Sequence, residues 1–229
     1  AALRRSESLD NTHYDIHFDL ALVLLSDKNY ADASTELEKA IKIDSKAALP
    51  HVLLGRAYQN TNRSMQAVEQ FQIALRLDPN LPLGHYHLGF AYASLGRNDD
   101  AIAEYEKELS HSSGNPTVLY QLGHCQAQAG DWKSAVENLK KSTEIDPNNS
   151  DAFYDLGKTL LLEGDADAAI TALRRAIELK PSDPGPHYQL SRALEKAGKK
   201  EEAKQELDLF ATLKKAQPVT GGMASGPVQ

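Results

Sequence analysis

Apolar and small side chains recur along the chain with one period. A Leu followed by a small residue stands at Leu20-Ala21, Leu54-Gly55, Leu88-Gly89, Leu122-Gly123, Leu156-Gly157 and Leu190-Ser191, each pair 34 further along than the last. An Ala stands at +13 from each Leu: Ala33, Ala67, Ala101, Ala135, Ala169 and Ala203. No insertion or deletion breaks the register, so the chain divides into 14–47, 48–81, 82–115, 116–149, 150–183 and 184–217. Between these anchors the apolar residues keep helical spacing, as in Leu88, Gly89 and Tyr92 or Ala67, Phe71, Ala74 and Leu75. No stretch alternates as a strand would, and each period predicts two helices. Gly96, Gly130, Gly164 and Gly198, with Asn62 in the equivalent place, mark the turn between them, because helices commonly end on a left-handed residue. Asp78-Pro79, Asp146-Pro147 and Lys180-Pro181 end three second helices, since the residue before proline is pushed out of helical geometry. In the third period Pro82 is expected to open the first helix, where its missing N–H costs nothing.

A fixed period of this length is the mark of stacked repeats. The period of 34 and the small residues where the helices cross resemble the tetratricopeptide repeat (TPR) family, across 14–217. That resemblance implies an all-α fold, an α-solenoid of antiparallel helix pairs in a right-handed superhelix, whose first helices line a concave groove. The family's Trp near the start of the first helix is replaced by His17, His51, His85, Leu119, Phe153 and His187, and the sole Trp, Trp132, opens a second helix. The four histidines read as half-buried rings taking over its packing.

The ends differ from the array. In residues 1–13, Leu3, Ser6, Leu9, Asp10 and Asn11 align with Phe71, Ala74, Leu77, Asp78 and Pro79, as the tail end of a truncated preceding repeat would. The final helix is expected over about 200–214. Its charged run, with Lys199, Lys200, Glu201, Glu202, Lys204, Lys214 and Lys215, suits a polar cap. Residues 218–229 carry no charge and no apolar period, and read as a disordered tail.

Composition narrows the function classes. Lys and Arg number 25 against 32 Asp and Glu, a net charge of −7, which speaks against a basic nucleic-acid binder. The longest apolar run, Leu20 to Leu25, is too short to insert into a membrane. A single cysteine, Cys125, leaves no disulfide framework and no Cys-rich zinc site. The chain reads as soluble; the cytoplasm is the default compartment, and a removed upstream signal would instead place it in the periplasm or outside the cell. It has no Gly-rich phosphate loop, no nucleophile elbow and no His-Glu-x-x-His, so no enzymatic activity and no cofactor is expected. His85 and His87, two apart on a helix, diverge; His13 and His17 have a workable spacing, but His13 lies at or before the helix start. No metal site is expected from either pair.

The TPR resemblance places the residue two before each core Leu on the groove: Phe18, Val52, Tyr86, Tyr120, Tyr154 and Tyr188. A second column two after the Leu holds Leu22, Arg56, Phe90, His124, Lys158 and Arg192. Tyrosines beside cations suit an extended peptide, since the rings give contact area at low entropy cost and Arg or Lys pairs with carboxylates. The same tyrosines also pack helix on helix in this family. The Lys and Asn of the family's two-carboxylate clamp are missing from the ladder. The Asn ladder of the sugar-transferring TPR enzyme is missing too, with Asp19, Leu53, His87, Gln121, Asp155 and Gln189 in its place.

One junction breaks the pattern. Glu108 stands where Ala40, Ala74 and Ala176 stand in other periods, with Ser142 and Phe210 in the fourth and sixth; Gln126 stands where Tyr58, Tyr92 or Leu160 stand, and Ser110-His111-Ser112-Ser113-Gly114 replaces the Leu-Asp-Pro exit. On one reading the Glu108 carboxylate reaches solvent or bonds Gln126 or His124. On the other, Glu108, Gln126 and Gln121 form a polar specificity pocket. The expected function is a non-catalytic scaffold for a protein or peptide partner. An accessory interaction region of a larger enzyme, sensor or envelope assembly protein is the alternative, and weak self-association a third.

Overall fold

Twelve helices follow one another, two per period, in the computed structural model, which describes residues 14–112 and 114–216. They are α1 (Tyr14–Ser26), α2 (Tyr30–Ile43), α3 (Ala48–Asn60), α4 (Ser64–Leu77), α5 (Gly84–Ser94) and α6 (Asn98–His111), then α7 (Pro116–Ala129), α8 (Trp132–Ile145), α9 (Ser150–Glu163), α10 (Ala166–Leu179), α11 (Pro184–Lys196) and α12 (Lys200–Ala216). No strand occurs among the described residues. The truncated repeat expected over 1–13, His13 within it, and the tail expected over 218–229 lie outside them. The chain forms two units, 1–129 and 130–229, each with its own packing.

In the first unit α1 to α7 pack each on the next; in the second, α8 to α12 do the same. The periodic anchors are what they pack with. The repeated Leu and the Ala at +13 from it are buried in every period. Burying each such Leu contributes about 2 kcal/mol. The small residue after the Leu is there because the partner helix comes close. A Cβ on Gly55 would stand 2.6 Å from the Phe71 ring, and one on Gly157 2.5 Å from Leu173 Cγ. The turns between paired helices run through left-handed residues, at Asn62 and Lys28 as well as at the four glycines named above.

Side-chain caps start five of these helices: Asn29, Asp131, Asn149, Asp165 and Asp183 accept from backbone N–H groups of α2, α8, α9, α10 and α11. Helix α5 differs from expectation. Pro82 lies in the turn before it, and the helix begins at Gly84 after Leu83, which sits in the left-handed region (φ 59°) and has no capping side chain. In the place where Asn149 caps α9, the approach to α5 has Leu81, an apolar residue that packs against the core and cannot accept.

Candidate functional site

The repeat register sets each first-helix residue at the same place in its own helix pair, so the two columns can be followed through each unit. In the first unit, Val52 is buried, Phe18, Tyr86 and Tyr120 are half-buried, and Leu22, Arg56 and Phe90 are exposed, with His124 between these extremes. Neighbouring rings tilt against one another. Tyr86 lies 6.4 Å from Phe90 and 6.0 Å from Tyr105, centroid to centroid, and Tyr120 lies 6.1 Å from His124. Burial raises the Tyr86 phenol above the ordinary tyrosine range. The Arg56 guanidinium makes no hydrogen bond or ion pair with any described residue. Its charge is felt by His87, whose imidazole is held down to about 4 by burial and by Arg56.

The second unit has its own set. Tyr154 is half-buried and Tyr188 exposed, with Lys158 and Arg192 beside them in the register. Burial raises the Tyr154 phenol, with a hydrogen bond to Gln189 acting the other way. Tyr188 packs on Phe210 at 5.2 Å, and the Lys214 ammonium sits 5.5 Å over that ring. Arg192 Nη1 donates to Gln189 Oε1 at 3.2 Å, while the Lys158 ammonium has no polar partner among the described residues.

The broken junction resolves into a cap. Glu108 is buried, at 5% exposure. It accepts the backbone N–H of Tyr86 at 3.2 Å. Tyr86 lies in the first turn of α5, the helix whose own cap residue, Leu83, has no acceptor. The late part of α6 runs past that helix start, and a carboxylate there meets an unpaired N–H and the positive end of the helix dipole. Gln126 is buried and Gln121 half-buried on α7. Nearby, Tyr105 is fully buried with no partner for its hydroxyl among the described residues, and Cys125, also buried, has its thiol pushed up to about 11. A thiol so placed is a packing group, unreactive at neutral pH.

The histidines do more than fill space. His17, His51 and His187 are buried and His85 half-buried, and each ring hydrogen-bonds through Nδ1 to the side chain at +19, on its paired second helix. The partners are Glu36 (2.8 Å), Gln70 (2.8 Å), Glu104 (2.6 Å) and Glu206 (2.6 Å). The signal was in the sequence: Glu or Gln stands at +19 wherever His stands, and Asn138 or Ala172 where the ring position is Leu119 or Phe153. His85 and His87 do diverge, one to Glu104 and the other onto the Phe71 ring at 5.5 Å. Among the described residues no group of three or more His, Cys, Asp or Glu is arranged to hold a metal, and no helix is long and apolar enough to cross a membrane.

Stacked helix pairs with this register define a class of repeat protein, and comparison with known sequences agrees. Family models of the tetratricopeptide repeat match residues 14–46, 52–116, 120–184 and 160–210, and the chain belongs to the tetratricopeptide repeat family. No curated protein sequence matches it. Among solved structures it is similar to YrrB, described as a TPR protein with an unusual peptide-binding site: TM-score 0.70 and 24% identity, over 81% of this chain and 96% of that one. MamA AMB-1 matches with TM-score 0.68 and 26% identity, over 73% and 99%. MamA from Desulfovibrio magneticus RS-1 matches with TM-score 0.71 and 20% identity, over 74% and 96%.

Proposed function

We propose that the chain is a non-catalytic scaffold that binds an extended segment of a protein partner on the faces carried by its first helices. The observation that carries this reading is Arg56. It is an exposed guanidinium with no hydrogen-bond or ion-pair partner among the described residues, in one register column with two exposed apolar side chains, Leu22 at 40% and Phe90 at 38%. Solvated apolar surface beside an unpaired cation is what a segment with apolar and acidic side chains would cover. Tyr86, Tyr120 and His124 add half-buried rings to this face. In the second unit Tyr154, Tyr188, Lys158 and Arg192 supply the same chemistry on a face of its own. Packed helices within each unit lose little entropy on binding, so modest contacts accumulate into useful affinity. The junction residues enter as a specificity element. Gln121, half-buried, is the member a ligand can reach, while Glu108 acts through the helix start that positions Tyr86. YrrB, alike in fold, is itself described as having a peptide-binding site.

Affinity capture with the full chain tests this reading. Replacing Arg56→Glu together with Phe90→Ala changes two exposed side chains and should abolish recovery of the partner that wild type captures. Equal recovery would defeat the assignment.

A further inference from the structure

The second-helix side of the fifth repeat departs from its counterparts in a way the first-helix faces do not explain. In the first unit, the side chain at +18 from the core Leu of the first and second repeats bonds a phenol of the next repeat. Glu38 accepts from Tyr58 Oη, and Gln72 donates to Tyr92 Oη, both at 2.8 Å. Arg63 and Arg97 then stack on those two rings, at 4.0 and 4.4 Å. In the second unit the same positions are Lys140 and Arg174, and the phenol positions are Leu160 and Leu194. Both halves of the polar pair have been replaced together, by a cation and an apolar group. The fifth repeat also lacks the histidine pair, with Phe153 and Ala172 where the second repeat has His51 and Gln70.

These exchanges open a trough of 790 Å³ within the second unit, floored by Phe153, Leu156, Leu160 and Ala172. The corresponding place in the second repeat, lined by His51, Tyr58 and Gln70, holds only 310 Å³. Lys140, Arg174 and Arg175 stand at the rim with one carboxylate, Glu178. The Lys140 ammonium has no ion pair among the described residues. Arg174 bridges Glu202 at 2.8 Å and Arg175 bridges Glu178 at 2.9 Å, both exposed pairs that an incoming carboxylate can replace with little loss. A cationic rim on a chain of net charge −7 marks the sign of what it receives.

We propose that this trough binds an acidic segment of a partner protein, with one large apolar side chain on the floor and flanking carboxylates at Lys140 and Arg174. The site lies on the second helices and is independent of the first-helix faces described above. The acetylated heptapeptide Asp-Glu-Asp-Phe-Glu-Asp-Glu is a suitable probe, titrated into the full isotope-labelled chain and followed by amide chemical shifts. Saturable shifts at Lys140, Thr171 and Ala172 are expected. They should be lost when the peptide's Phe is replaced by Ala or its acids by Lys. Phe153→His with Ala172→Gln rebuilds the pair that the second repeat already accommodates, and should weaken binding about tenfold or more. Lys140→Glu, at an exposed position, should weaken it as well without touching the fold. Several results would overturn the proposal: no shifts at about 1 mM peptide, shifts confined to the first helices, or unchanged affinity in both variants. Shifts that grow with protein concentration in the absence of peptide would also overturn it, by showing that a second copy fills the trough.

Discussion

His87 shows how a single side chain is set by its neighbours. It stacks on Phe71 and faces the Arg56 charge, so its imidazole stays neutral until about pH 4, whereas in the unfolded chain it takes a proton near 6.5. The unfolded state then binds more protons than the folded one in that window, and stability falls as the pH drops from 6.5 towards 4. The loss attributable to this ring grows to about 3 kcal/mol at pH 4. Denaturant unfolding of wild type and His87→Phe at pH 7 and pH 4 should therefore show the variant losing less stability on acidification. Parallel losses would remove His87 from the account. The sequence places His87 just before a core Leu, but its burial depends on Phe71, which belongs to the preceding repeat and is reached only through the packing.

Helix α5 makes the same point for an element. The repeat register predicts the helix and its approximate span, and Pro82 points to a start that the structure moves to Gly84. The cause is the missing acceptor at Leu81, after which the turn closes through a left-handed Leu83 and Glu108 supplies the acceptor from α6. Glu108 stands out in the sequence as a break in pattern, yet its role is invisible there because its partner is the backbone N–H of Tyr86, on another helix and without a side-chain signature. Glu108→Ala should cost about 2 kcal/mol and speed hydrogen exchange in the first turn of α5. Glu106→Ala, at an exposed site on the same helix, should change stability by less than about 0.5 kcal/mol. Equal effects of the two substitutions would mean that Glu108 is no cap. The histidine pairs were nearer to hand, since ring and partner recur with the same period.

At the scale of the whole molecule, one period of 34 accounts for twelve helices, because every anchor is a local requirement of two crossing helices and repeats without interruption. The division into two units is not written in that period, which runs through position 129 unchanged. The distribution of charge is equally uneven. The net charge of −7 describes the chain as a whole, while the side chain at +18 from the core Leu changes from Glu38, Gln72 and Glu106 to Lys140 and Arg174. Exposed apolar and cationic side chains on the first helices, rather than the average composition, carry the claim that this protein binds a partner there. The most direct measurement is a photo-cross-link to the captured partner, with p-benzoylphenylalanine placed at Phe90 on α5 or, as control, at Met65, which is 68% exposed on the second helix α4. The partner should cross-link from position 90 and not from position 65; capture with equal cross-linking from both, or from 65 alone, would contradict binding on the first-helix face.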